Sequence, residues 1–168
     1  FYKKFFLQSN HIFYKNLSEI IRSKKKFDII LSLSELEHKF EPIKFLESLK
    51  KILAKNGLIV IRVPNFDNIY AHLLGKYFYR YDFRKSHNYY FSHRNFQLLL
   101  KKLNLKIVKY FGHNEYPPNH LLKFVKTRKR VYGANSLNFF NTNEEKIINK
   151  NIEKSLKSTS LIYIVKKK

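Results

Sequence analysis

Between Phe27 and Val63 the chain spells out strand, helix, strand, and that order restricts it to folds in which a crossover helix bridges two parallel strands. Phe27-Asp28-Ile29-Ile30-Leu31-Ser32-Leu33 is a short apolar run of the kind buried on both faces of a parallel sheet. Glu41-Pro42 follows, with proline where the first helical turn tolerates a missing N–H. Ile43, Leu46, Leu49 and Leu53 then recur at helical spacing while Lys44, Glu47, Lys50 and Lys51 take other faces, which predicts an amphipathic helix. Asn56-Gly57 is expected to stop it, glycine taking the left-handed cap conformation. Leu58-Ile59-Val60-Ile61-Arg62-Val63 reads as a second buried strand, closed by Pro64-Asn65. The fold class is therefore α/β.

The rest of the chain fits one domain of 168 residues arranged around residues 27–65. Residues 66–104 read as a cover over that unit. They open with an irregular or weakly helical stretch rich in Tyr and Phe, and Ser92 caps a helix bearing Phe96, Leu99, Leu100 and Leu103. Leu105 to Phe111 alternates as a third strand, residues 113–142 read as an inserted loop holding Pro117-Pro118, Glu144 to Leu156 as a helix, and Ser160 to Val165 as a last strand.

Net charge is +22, from 34 Lys and Arg against 12 Asp and Glu, which raises the question of a nucleic-acid partner. The basic residues are 27 Lys and 7 Arg, however, and arginine is the residue that makes bidentate phosphate and guanine contacts. Basic residues interleaved with aromatics between Lys76 and Phe91 suit a lid over an anionic or phosphorylated acceptor, a stacking platform for single strands, or a solvated cover. The run Lys123 to Arg130 suits anionic head groups or phosphate, or a solvated helix face. Cysteine is absent, which excludes disulfides, thiolate zinc sites and a cysteine nucleophile. His87 and His93 have no carboxylate near them in sequence, so no metal is expected. No apolar run is long enough to cross a bilayer and the start does not read as a secretory signal, so a cytoplasmic location is the default expectation.

Glu37-His38 stands at the carboxyl end of the first strand, where a neutral imidazole could take a proton or orient an acceptor; the plainer alternative is a local cap with His38 packed at the turn. Taken together, Phe27-Asp28-Ile29-Ile30, Leu36-Glu37-His38, Pro42, Asn56-Gly57, the strand to Val63 and Pro64-Asn65 resemble the second half of class I S-adenosylmethionine-dependent methyltransferases, in particular the small-molecule branch carrying L-E-H. His87, Tyr90-Phe91-Ser92, Leu103-Asn104-Leu105 and the closing Leu161 to Val165 are similar to that family's later segments, so the resemblance spans residues 12–166.

The resemblance implies a Rossmann-like sheet, mostly parallel with an antiparallel last strand. It implies S-adenosyl-L-methionine as cofactor, with Leu33, Ser34 and Glu35 lining its methionine side and Asn16-Leu17 flanking the adenine. On the acceptor side it implies His38 and His87 as catalytic residues, with Glu37 and Asn65 against a small-molecule or sugar-like acceptor. The family's first strands and Gly-rich loop are missing. They need about 55 residues, only 26 precede Phe27, and methionine is absent even at position 1, so the chain reads as the C-terminal portion of a longer enzyme. A non-catalytic remnant, or a basic module binding nucleic acid or another anionic partner, is the alternative.

Overall fold

In the computed structural model, residues 12–82, 84–128 and 139–168 are described. Phe83, the last two residues of the basic run, Lys129 and Arg130, and residues 131–138 of the expected insertion lie outside them. Asn16 opens α1 (Leu17–Arg22) by accepting the Glu19 N–H on its side chain at 2.9 Å, so its role in the fold is that of a helix cap. The chain then forms β1 (Phe27–Leu33), a 3₁₀ turn (Leu36–His38), α2 (Pro42–Ile52) and β2 (Leu53–Pro64). Proline sits in the first turn of α2, as its fixed φ favours.

After β2 come α3 (Ile69–Leu74), a 3₁₀ turn (Gly75–Tyr77), α4 (Phe78–Tyr81) and α5 (His93–Lys102), the last capped by Ser92 accepting the Asn95 N–H at 3.2 Å. β3 (Leu105–His113), α6 (Pro118–Thr127), α7 (Thr142–Lys154) and β4 (Ser160–Lys167) complete the order. No helix among the described residues is long and apolar enough to cross a membrane.

The sheet runs β1-β2-β4-β3, with β1 parallel to β2 and β4 antiparallel to both its neighbours. Three strands thus point one way and the last opposes them, the arrangement expected. One face is packed: Ile59, Ile61 and Val63 of β2, Leu161, Tyr163 and Val165 of β4, and Leu105 of β3 form a continuous core with Leu46, Leu49 and Ile52 of α2 and Phe96 and Leu100 of α5.

Three expectations need correction. The first strand is not buried on both faces: Ile29, Leu31 and Leu33 are 64%, 64% and 46% exposed, because among the described residues no helix covers the face they share. Gly57 is not a helix cap either. The helix ends at Ile52 and Leu53 already pairs with Phe27, so Gly57 lies inside β2, where a Cβ would come within 2.9 Å of the Phe27 carbonyl oxygen and 3.0 Å of that of Asp28. Glycine is needed there for close strand approach, next to the bulge between Phe27 and Ile29. Finally, the expected loop 113–142 contains α6, whose Leu121 and Phe124 pack with Tyr70, Leu74 and Tyr81 in a second cluster.

Candidate functional site

The carboxyl ends of β1 and β2 lie side by side, the place where open α/β sheets hold ligands. The antiparallel β4 begins at this end with Ser160, opposite Pro64, and β3 finishes here at His113. A cleft of about 130 Å³ opens between them, lined by Ser34, Glu37 and His38 from the β1 end, Arg62 and Pro64 from β2, Asp82, Arg84 and His87 from the cover, and Glu115, Thr159 and Ser160 from the β3 and β4 ends.

Backbone contacts bring the cover to the β1 end. Pro64 and Phe66 exchange hydrogen bonds with Phe91, extending β2 by one parallel bridge at Asn65. The Glu37 carbonyl accepts the Asn88 N–H at 2.8 Å and that of Tyr89 at 3.3 Å, and the Asn88 amide donates to the His38 carbonyl at 3.1 Å. His38 completes the clamp through Nδ1, 2.8 Å from the Ser86 carbonyl. A carbonyl can only accept, so Nδ1 carries a proton, and in the neutral ring Nε2 keeps its lone pair. The His38 and His87 rings meet edge to face with centroids 4.9 Å apart.

Glu37 is 1% exposed, and its Oε2 has no hydrogen-bond partner. Burial pushes its carboxyl pKa up, against the lowering effects of its own backbone N–H, His38 and Arg62. His87 Nδ1 is likewise buried without a partner. Burial, followed by the His38 and Arg84 charges, lowers the His87 pKa to about 4, so the ring is neutral near pH 7.

The wall opposite is a charge network that sequence reasoning missed. Arg62 donates from Nε to Ser34 Oγ at 2.9 Å and lies 3.8 Å from Glu115, which accepts from Ser160 Oγ at 2.7 Å. Arg84 donates to the Tyr116 hydroxyl at 3.0 Å, which in turn donates to Asp82 at 3.1 Å. Two of its members left a signal in sequence: Arg62, the one charged residue in the apolar run Leu58 to Val63, and Arg84, in the basic and aromatic block between Lys76 and Phe91.

The other expected site residues are placed unevenly. Leu33 stands exposed at the end of β1, and Ser34 turns the chain there with φ 56°, in the left-handed region. Glu35 faces away into an ion pair with Lys39 at 2.8 Å. Asn65 does not offer its amide to an acceptor. It is 1% exposed and donates to the Leu156 and Ser158 carbonyls while accepting the Asp67 N–H, so its polar atoms are spent on joining β2 to the start of β4. His93 belongs to a different place, its Nδ1 hydrogen-bonded to the Tyr163 hydroxyl at 2.7 Å.

For a nucleoside cofactor the residues fit in part. The exposed Leu33 leaves apolar surface at the sheet end, while the Ser34 N–H is already bound to the Arg62 carbonyl at 3.2 Å. None of the described glycines forms a nucleotide loop, since Gly57 is in β2, Gly75 ends α3 and Gly112 is packed against Glu153 in β3.

Residues 5–110 match a family model described as a methyltransferase domain. Among solved structures, a SAM-dependent methyltransferase from Archaeoglobus fulgidus superposes with TM-score 0.55 at 18% identity, over 98% of this chain and 71% of its own. One from Thermotoga maritima, described as a possible histamine N-methyltransferase, gives 0.53 at 15% identity, over 86% and 58%. The plantazolicin methyltransferase BamL, solved with a triazolic desmethyl analogue and SAH, gives 0.52 at 18% identity, over 97% and 61%. At these identities the likeness is one of fold, and the chain spans less than two thirds of two of the three. No curated protein matches the chain.

Proposed function

The chain belongs to the methyltransferase-domain family, and from that premise we propose that it serves S-adenosylmethionine-dependent methyl transfer to a small-molecule or sugar-like acceptor. The observation that carries the reading is the meeting of Glu37, His38 and His87 at the carboxyl end of the sheet, with His38, its Nδ1 engaged by the Ser86 carbonyl, lining a cleft. When bound, the cofactor supplies a methyl group on a sulfonium, which an acceptor lone pair displaces in line. What the protein adds is alignment and, for a hydroxyl acceptor, a place for the proton.

Leu33 and the Ser34 carbonyl are the groups that would seat the methionine end, the Ser34 N–H being held by the Arg62 carbonyl. His38 Nε2 is the proton acceptor, its tautomer held by the Ser86 carbonyl. His87, neutral near pH 7, packs edge to face against that ring. Arg62 and Arg84 suit the cleft to an acceptor bearing an anionic group, each balanced by Glu115 or Asp82 when none is bound.

The test is calorimetric titration with S-adenosylhomocysteine, using the protein encoded by the whole open reading frame that contains these residues. Saturable binding that Leu33→Asp weakens about tenfold supports the reading; Leu33 is exposed enough that this change should leave folding intact. Heat of binding absent from a folded protein would sink it and favour a non-catalytic binding module.

A further inference from the structure

We infer that Glu37, His38 and His87 form a binding site for one divalent transition-metal ion, set at the acceptor end of the cleft. Their three candidate ligand atoms all lie within 4.8 Å of one another. Bonds to imidazole nitrogen and carboxylate oxygen run at about 2.0–2.2 Å, so ligands around one tetrahedral ion stand roughly 3.3–3.6 Å apart, and side-chain rotations that draw the atoms in by about 1 Å would bring them to that spacing.

Two features of the cluster point to a ligand rather than to a chance meeting of side chains. Glu37 is 1% exposed, yet its Oε2 has no hydrogen-bond partner, and a buried carboxylate oxygen without one is costly unless a cation faces it. His87 Nδ1 is orphaned in the same way. The third ligand is already oriented as metal-binding histidines are: His38 donates Nδ1–H to the Ser86 carbonyl, which fixes the ring and turns the Nε2 lone pair free. The carboxylate missing near His87 in sequence is delivered by the Asn88 and Tyr89 backbone bonds to Glu37.

Two imidazoles and one carboxylate suit Zn²⁺, Fe²⁺, Mn²⁺ or Co²⁺ better than Ca²⁺ or Mg²⁺, which prefer all-oxygen shells. Cationic groups also border the site. Arg62 is answered by Glu115 at 3.8 Å and Arg84 by Asp82 at 4.0 Å, so a dication beside them does not meet uncompensated charge. Three protein ligands leave coordination positions open toward the cleft, where an oxygen of the acceptor or a water can bind. In that state His38 is a ligand and not a proton acceptor, and the ion lowers the pKa of the oxygen it holds. This role in the reaction rests on the methyl-transfer reading; the binding of the ion does not.

The chelator-treated full chain is titrated with Co²⁺, following its visible absorption, and the Zn²⁺-loaded protein is assayed for metal by mass spectrometry after desalting. One equivalent of each metal is expected, with Glu37→Gln and His87→Ala each weakening Co²⁺ binding at least tenfold and His93→Ala leaving it unchanged. Failure to reach one saturable equivalent, or Glu37→Gln and His87→Ala that bind as the parent does, overturns the inference. If His87→Ala does not fold, the isosteric Glu37→Gln decides alone. S-adenosylhomocysteine is titrated in parallel in EDTA: its binding to a protein that takes up no metal sinks only the metal site, and metal bound with no such binding sinks only the methyl-transfer reading.

Discussion

His87 and Glu37 face each other with opposite electrostatic strain, and acid should separate them. The His87 pKa is lowered to about 4 by burial, against about 6.5 in an unfolded chain. Above pH 6.5 neither state holds the proton; as pH falls the unfolded chain binds it first, so this contribution to stability declines from about pH 6.5 to about 4 and levels off below. In chelator, urea midpoints measured across that range should drop for the parent and stay flatter for His87→Gln. Burial raises the Glu37 pKa, so the folded state holds that proton more tightly and stability falls as pH rises through its titration. Glu37→Gln should therefore raise the metal-free midpoint at pH 7. Asn65 is a different kind of residue: with its amide spent on Leu156, Ser158 and Asp67, Asn65→Ala should cost about 2–4 kcal/mol, read in urea unfolding.

At the scale of elements, the approach of β1 to β2 depends on one missing side chain. A Cβ at Gly57 meets two carbonyl oxygens of β1, and backbone cannot swing aside as a side chain would. Gly57→Ala should destabilise by about 1–3 kcal/mol in urea unfolding and lower the melting temperature with it. The helices show how one rule can succeed in one place and fail in another. Proline in the first turn marks α2 at Pro42 and also α6 at Pro118, but Pro117-Pro118 reads as a loop in sequence because the apolar residues behind it, Leu121 and Phe124, pack on Tyr70 and Tyr81 from a distant segment. The end of α2 differs from its sequence pattern for a related reason. Leu53 continues the helical spacing, but its pairing with Phe27 draws it into the sheet.

For the molecule as a whole, the two faces of the sheet are unequal. Ile61 is fully buried under α2 and α5, whereas Leu31, as apolar and on the neighbouring strand, is 64% exposed. Ile61→Ala should cost about 2–5 kcal/mol, and Leu31→Ser should stay within about 0.5 kcal/mol in these 168 residues, both by urea unfolding. A large loss for Leu31→Ser would mean that the bare face is covered in solution.

The order strand, helix, strand, the capping by Ser92 and the last antiparallel strand are legible in the sequence, because hydrophobic spacing and local caps act between residues a few positions apart. Glu37-His38 is legible as a strand-end pair for the same reason. What the sequence does not supply is cover and convergence. An apolar strand reports a capacity for burial, and only packing decides whether anything lies over Ile29 and Leu31. Asn65 has the look of a site residue until the fold brings Leu156 and Ser158 to its amide. Glu37, His38 and His87 become one cluster, and Arg62, Arg84 and Glu115 its opposite wall, through hydrogen bonds between segments far apart in the chain, and such bonds leave no local pattern to read.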